Sequence, residues 1–359
     1  MHAWLLAAML SLSVPSPMPA PEAAARQAQV MAVPPALDAQ MRAVVLAGSP
    51  SPATRVQRLA HFLFDTRNGL GITYDEQATS SVAEAYATRK ANCLTFTLLF
   101  LALARDAGLQ AYPQELGETL DWRESGGTIF RDNHVNAGVR IDGEPLTVDV
   151  AGADVLGLHP PGRISDRRLL SHYYNNLAIR QLEQGDYAAA ASNMGASLSL
   201  DPSYAPHWSN AGVVALHAGD FNGAHQAFLQ ALALDANESG ALLNLVELAH
   251  RRGDAREETD WRARLAEVQQ RDPLQHFMEA LDYERIGNFP QAIAQFEHAI
   301  RLHPGDHRFY AALARACIEA SDRKCARNAL QHARHYSEGT LRAQYDGLLS
   351  DLREGEAIR

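Results

Sequence analysis

The fold of most of this chain is decided by residues 205–238, APHWSNAGVVALHAGDFNGAHQAFLQALALDANE. Two apolar helical segments flank the turn signal Gly219-Asp220, and the pattern recurs with a period of 34 residues. Equivalent turns stand at Gly185-Asp186, Gly253-Asp254, Gly287-Asn288 and Ser321-Asp322. A fixed period of this length is typical of stacked helix pairs. It predicts five units, at residues 171–204, 205–238, 239–272, 273–306 and 307–340.

Positions inside the units also keep their register. Small residues stand at one position of the second helix, namely Ala190, Ala224, Ala292 and Ala326, and large apolar ones at another, namely Met194, Phe228, Phe296 and Leu330. The pattern resembles the tetratricopeptide repeat, which implies an all-α solenoid. The third unit departs from it, because Glu258 and Arg262 replace the small and the apolar residue. Residues 341–359 are expected to form a capping helix and tail.

A different pattern precedes the repeats. Residues 93–108, CLTFTLLFLALARDAG, are apolar nearly all round and end at a glycine, so this helix is expected to be central and buried. The alternating segments 134–141 and 146–150 then flank Asp142-Gly143, a hairpin signal. If the strands turn there, paired residue numbers sum to about 285. Asp149 is then expected opposite Asn136 and within side-chain reach of His134.

Cys93, His134 and Asp149 form a candidate catalytic triad. The positive end of a helix dipole favours a thiolate at Cys93, His134 can exchange protons with it, and Asp149 can orient the imidazole. The alternative is a structural cysteine, a solvent-facing histidine and a carboxylate at a strand end.

The segments Arg89-Lys-Ala-Asn-Cys-Leu-Thr-Phe96, Asn133-His-Val135 and Thr147-Val-Asp149 resemble the bacterial transglutaminase-like superfamily, in the branch that carries tetratricopeptide repeats. His172-Tyr-Tyr-Asn-Asn176 resembles that branch's entry into the repeats. The resemblance implies an α+β transglutaminase-like core at residues 36–156, with helices packed on an antiparallel sheet. It also implies Cys93 as nucleophile, His134 as general base and acid, and Asp149 as its orienter.

The sequence does not assign the hydrogen-bond donor that would stabilise the oxyanion. The backbone N–H of Cys93 is the default donor. Asn92, Gln77 or Tyr74 would assist it, or would act only as a cap, a turn residue or a packing residue.

These features predict an exported cysteine-dependent acyl-transfer enzyme acting on amide bonds of a protein or peptide, with a repeat domain that recruits a partner. Water as acceptor makes it an amidase or peptidase, and an amine makes it a transamidase. The alternative is a catalytically inactive transglutaminase-like fold that serves as a protein–protein interaction scaffold.

The composition and net charge limit the classes of partner that we expect. The formal net charge of -10 disfavours nucleic acid, and no stretch is long and apolar enough to span a membrane after signal removal. Phosphate-loop and cofactor motifs are missing, so no cofactor is expected. The pairs His303/His307 and His332/His335 have spacings seen in metal sites, but they are expected to be surface residues, and no metal is predicted.

The ends of the domains follow from composition. Residues 1–25 read as a signal peptide and residues 26–35 as a flexible leader, which predicts a periplasmic or secreted protein. An uncleaved anchor or a floppy tail are the alternatives. Residues 157–170, with Pro160-Pro161-Gly162, read as a linker. Cys317 and Cys325 are expected to form a disulfide in an oxidising compartment, or else to be small core thiols.

Overall fold

The computed structural model describes residues 16–117, 122–125, 128–131, 134–149 and 159–357. The chain divides into two compact units, Met1–Trp261 and Arg262–Arg359. The first unit contains the sheet and the earlier repeats, and the described part of the second unit is helical. Residues 1–15, 118–121, 126–127, 132–133, 150–158 and 358–359 lie outside the described residues, and most of the predicted signal peptide falls among them.

The helices of the N-terminal part of the chain include one that is buried. They are α1 (Ala20–Val30), α2 (Pro35–Val45), α3 (Pro52–Phe64), α4 (Val82–Thr88) and α5 (Cys93–Asp106). Helix α5 is buried from Leu94 to Ala104 and contacts α3 and α4. Its first turn is capped by Asn92, whose side-chain oxygen accepts the Thr95 N–H at 2.9 Å. The prediction of a central buried helix at residues 93–108 is confirmed.

An antiparallel sheet covers another side of α5. The strands of the first unit are β1 (Thr73–Tyr74), β2 (Lys90–Ala91), β3 (Gln110–Glu115), β4 (Trp122–Ser125), β5 (Thr128–Arg131), β6 (Val135–Ile141), β7 (Glu144–Val148) and β8 (Gly162–Arg163). The main sheet has the order β7-β6-β3-β8, and its strands pair antiparallel. Strands β1 and β2 form a short parallel pair, and β4 and β5 form a separate hairpin.

The predicted hairpin register is confirmed. Ala137 pairs with Val148 and Ile141 with Glu144, so the paired numbers sum to 285. Asp142 and Gly143 both have positive φ, 51° and 92°, as a two-residue hairpin turn requires. The register places Asp149 beyond the last pair, opposite Asn136.

Regular helix pairs follow the sheet. In the first unit they are α6 (Asp166–Glu183), α7 (Tyr187–Leu200), α8 (Ala205–His217), α9 (Phe221–Leu234), α10 (Ser239–Arg252) and the start of α11 (Ala255–Gln269). The second unit continues with α12 (Pro273–Arg285), α13 (Phe289–Leu302), α14 (His307–Glu319), α15 (Arg323–His335) and α16 (Gly339–Ala357). Helices begin at residues 205, 239, 273 and 307, where the period places repeat starts.

The departure of the third repeat has a structural counterpart. The boundary between the two compact units lies between Trp261 and Arg262, inside α11. Leu265 is the buried residue of that helix, whereas α9 buries a continuous apolar face that includes Ala224 and Phe228. In the second unit, Cys317 of α14 and Cys325 of α15 form the expected disulfide.

The segment expected to be a flexible leader is ordered. Residues 26–35 contain the second half of α1 and the start of α2, and Val30 is buried. The prolines that suggested flexibility lie at the first positions of these helices, where the missing N–H has no intrahelical partner to lose. Met18 also donates its N–H to the Ser199 carbonyl at 2.6 Å. The predicted end of the signal peptide, at residue 25, falls inside α1.

The segment expected to be a linker also belongs to the fold. Within residues 157–170, Gly162 and Arg163 form β8 and pair with Glu115 and Gln114 of β3, and α6 already begins at Asp166.

The first repeat shares its hydrophobic core with the sheet. Leu169, Leu170, Tyr173 and Tyr174 of α6 join the cluster built around α5. Arg105 of α5 forms an ion pair with Asp166 at 2.8 Å, and Arg180 donates to the Thr79 carbonyl at 2.8 Å. The α+β domain and the first repeat therefore share one hydrophobic core.

This shared core predicts how truncations behave. A fragment ending after Arg167 lacks these four side chains of α6, each worth about 1.5–3 kcal/mol of burial, and exposes the surface that they cover, so we expect it to be unfolded. A fragment ending after Asp235 keeps α6 to α9, and we expect it to melt cooperatively. Circular dichroism melts of both fragments test this, and a cooperative melt of the shorter one would contradict it.

Candidate functional site

Cys93 is the first residue of α5 and is half-buried. Thr97 Oγ1 lies 2.8 Å from the Cys93 carbonyl oxygen and 3.2 Å from that of Val135. One hydroxyl thus ties the first turn of α5 to the start of β6. This places the sulfur beside the residue that precedes β6, which is His134.

The structure brings Cys93, His134 and Asp149 together. His134 Nε2 lies 2.6 Å from Asp149 Oδ2, and the Cys93 side chain is the second group that acts electrostatically on the imidazole. The imidazole is 3% exposed, so its partners are protein groups rather than bulk water. The geometry matches a thiol, an imidazole and an orienting carboxylate in the order that cysteine nucleophiles use.

The charge state of His134 depends on these two neighbours. Burial lowers the pKa of its imidazole, but the hydrogen bonds and charges of Asp149 and Cys93 outweigh burial and raise that pKa to about 10. The imidazole is therefore protonated near neutral pH. A protonated imidazole beside a sulfur favours the thiolate, the nucleophilic form of cysteine.

A second polar side chain reaches the same carboxylate. Asn136 Nδ2 donates to Asp149 Oδ2 at 2.9 Å. Sequence reasoning placed Asn136 opposite Asp149 but assigned it no role. The shared strand face with His134 was the available signal.

The three residues considered as oxyanion donors have other partners or positions. The Asn92 side chain caps α5 and donates to Thr79 Oγ1 at 2.8 Å, so the cap reading is confirmed. The Gln77 N–H donates to Asp75 Oδ1 at 3.1 Å, which forms a turn, and Tyr74 is exposed. The backbone N–H of Cys93, at the helix start, stays the predicted donor.

A buried polar cluster joins the end of β3 to the first repeats. Tyr204 hydroxyl donates to Glu115, and the His172 ring lies 3.4 Å from that carboxylate. His172 Nδ1 is 3.1 Å from His207 Nε2. The other ring nitrogen of His207, Nδ1, lies 3.2 Å from Ser197 Oγ. Burial, together with the neighbouring charges of His172 and Arg168, lowers the pKa of His207 well below its usual range. Sequence reasoning quoted His172 but did not connect it to Glu115, which is 57 residues away.

The hairpin between Glu115 and His134 also touches the repeats. Strand β5 lies against α8 and α10, the first helices of the second and third repeats. The chain that enters His134 therefore passes over the repeat surface before it returns to the sheet.

Neither a metal site nor a membrane-spanning helix is found within the described residues. No group of three or more His, Cys, Asp or Glu side chains among them is arranged to hold a metal ion. Within the same residues, no helix combines the length and apolarity that crossing a membrane requires.

A family model for the tetratricopeptide repeat matches residues 175–239 and 277–336. The prediction of tetratricopeptide repeats is confirmed, and the third repeat, which departs from the pattern, falls between the two matched ranges. Repeats of this type bind protein or peptide partners. The match does not concern residues 36–156, whose transglutaminase-like character stays a prediction. No curated protein is similar enough to this chain to count as a match.

Several solved structures are similar to part of the chain. MamA residues 41 to the end from Desulfovibrio magneticus RS-1 is 16% identical, with 48% of this chain and 96% of that chain covered and a TM-score of 0.27. PilF of Pseudomonas aeruginosa is 17% identical, with 54% and 99% covered and a TM-score of 0.28. YrrB, a TPR protein with an unusual peptide-binding site, is 18% identical, with 49% and 91% covered and a TM-score of 0.25.

The buried His207 predicts a loss of stability in mild acid. The pKa of His207 is lowered in the folded chain, whereas in the unfolded chain it is about 6.5. Below that pH the unfolded chain binds a proton at His207 and the folded chain does not, which favours unfolding. We expect the melting temperature to fall between about pH 7 and pH 5, and His207→Gln to reduce that fall because an amide does not titrate. Calorimetry of both proteins across this range checks it, and identical pH profiles would contradict it.

Proposed function

We propose that this protein binds a protein or peptide partner through its tetratricopeptide repeats. The observation that carries the proposal is the confirmed repeat array, since stacked helix pairs form extended surfaces suited to peptides and protein segments. We place the protein outside the cytoplasm. The apolar start of the sequence and the disulfide Cys317–Cys325 support that location.

A second function is favoured by a separate observation, the contact of His134 with both Cys93 and Asp149. We propose that the core is transglutaminase-like and carries out acyl transfer on an amide of the bound partner. The Cys93 sulfur attacks the carbonyl carbon, and the electron pair of the C=O bond moves to oxygen. When this intermediate collapses, the C–N bond breaks, His134 gives its proton to the departing amine, and a thioester stays on Cys93.

The thioester is resolved by a second attack. Water or another amine adds to the same carbonyl while His134, now neutral, takes the proton of the attacking group. The acyl group leaves as an acid or a new amide, and the sulfur returns beside the protonated imidazole. Asp149 keeps the imidazole oriented through both steps.

The repeats lie close enough to assist this chemistry. Strand β5 contacts α8 and α10, and the chain continues from β5 towards His134. A partner held on these repeats would therefore lie beside the segment that leads into the candidate triad, which supports a substrate recruited by the repeats.

Exposed apolar side chains on the repeats test partner binding. Ile286 at the end of α12 is 70% exposed, and Ile318 in α14 is 47% exposed. We expect the double variant Ile286→Ser, Ile318→Ser to recover about tenfold less partner in affinity purification from the native compartment, since apolar contacts carry much of an interface's energy. Leu146→Ser, which changes a residue of β7 with 44% exposure, is the matched control. Equal recovery by all three proteins would contradict a role for this surface.

The reactivity of Cys93 tests the acyl-transfer proposal. We expect iodoacetamide to alkylate Cys93 readily at about pH 6, and His134→Ala to slow the reaction at least about tenfold, because the protonated imidazole favours the thiolate. His276→Ala, which removes a buried histidine of α12, is the control. Rates are measured by mass spectrometry of the peptide that contains Cys93.

A cellular assay then separates the two functions. A folded Cys93→Ala protein should still capture its partner but fail to restore the phenotype of a strain that lacks the protein. Full complementation by that variant would end the enzyme proposal and leave the partner-binding function intact.

A further inference from the structure

We propose that Asn136 is a positioning residue: its side-chain amide holds the Asp149 carboxylate in the orientation that His134 needs. The inference rests on the proposed acyl-transfer function. It concerns a residue whose side-chain amide donates to Asp149, and that acts through Asp149.

The first observation is a shared acceptor atom. Asp149 Oδ2 accepts from Asn136 Nδ2 at 2.9 Å and lies 2.6 Å from His134 Nε2. A carboxylate attached by one rotatable bond is free to turn its oxygens away from a single donor. Two donors that converge on one oxygen restrict that rotation and keep the oxygen on the imidazole.

The second observation is the difference in support between the two strands. Asn136 belongs to β6, which is paired on both sides, with Gln114 of β3 as its partner on one of them. Asp149 follows Val148, the last residue of β7, which is an edge strand of the sheet. A donor on a central strand therefore fixes an acceptor that lies just beyond the end of an edge strand.

The third observation argues against a purely structural role. Asn136 is 2% exposed, and no donor among the described residues reaches its Oδ1. A buried amide with one end unpaired is less favourable for folding than an apolar side chain of similar volume. Stability alone would favour leucine at this position, so the amide is accounted for by what its other end holds.

The test replaces the amide by its apolar near-isostere. In the full chain, we expect Asn136→Leu to slow alkylation of Cys93 by iodoacetamide about tenfold, while the melting temperature is unchanged or rises. The low-field N–H proton signal of the His134 imidazole, which reports its bond to Asp149, should move or broaden. A merely structural role would change the melting temperature and neither of these readouts.

Asn244→Leu is the matched control. Asn244 of α10 is also 2% exposed and also has one unpaired side-chain atom among the described residues, its Nδ2. It lies outside the triad, so the same substitution there should leave the alkylation rate and the His134 signal as in the wild type. If Asn136→Leu does not fold, Asn136→Ser replaces it, because a serine hydroxyl is too short to reach Oδ2 and still fits the site.

The outcomes separate this inference from the function on which it rests. Wild-type rates and an unchanged His134 signal in a folded Asn136 variant, with His134→Ala still slow, overturn the positioning role alone. Equal alkylation of the wild type and His134→Ala overturns the acyl-transfer function and this inference with it.

Discussion

The burial of α5 on every side is the constraint on which the first unit depends. A helix without a polar face cannot lie on a surface, so other elements must cover all of its sides. Helices α3 and α4, strands β3 and β6, and α6 of the first repeat supply that cover. Each of these elements is fixed in position by its contact with the same helix, and the loops between them follow.

This constraint also explains where Cys93 lies. The N–H groups of a buried helix start need acceptors, and the Asn92 side chain accepts that of Thr95, while the Thr95 hydroxyl donates to the Ala78 carbonyl of the preceding turn. Thr97 then ties that start to β6. Cys93, a half-buried residue at the start of an otherwise buried helix, is held against the residue that enters β6. A half-buried thiol beside a buried imidazole results from the same packing that stabilises the core.

Local patterns in the sequence predicted the parts of the fold that depend on local physics. The hairpin register followed from Asp142-Gly143 and strand alternation, and the repeat starts followed from the period. The registers of the two strands then placed Asp149 within reach of His134, as found at 2.6 Å. Composition rules failed where long-range contacts decide the outcome. The leader prolines proved to be helix-start residues, and Gly162 proved to be part of a sheet edge, because only the folded chain shows which partners those segments meet.

The cluster around Glu115 and the amide of Asn136 were beyond prediction for a related reason. A buried carboxylate needs donors, but nothing in the sequence around Glu115 says that they come from Tyr204 and His172 of the first repeat. Asn136 was placed correctly, yet its function depends on which end of its amide is paired. Which donors meet Glu115, and which end of the Asn136 amide is paired, depend on the orientation of single side chains. The periodicity of the sequence carries no information on that orientation.

A repeat array exposes the apolar face of its first unit unless something covers it, and terminal units usually carry a polar face for that reason. Here the α+β core takes that position, because the side of α6 that would meet a preceding repeat packs instead on α5. Tyr173 and Tyr174 are therefore core residues and repeat residues at once. The first repeat consequently cannot shift relative to the sheet without breaking the core that holds Cys93 in place. It is thus part of the scaffold of the candidate site.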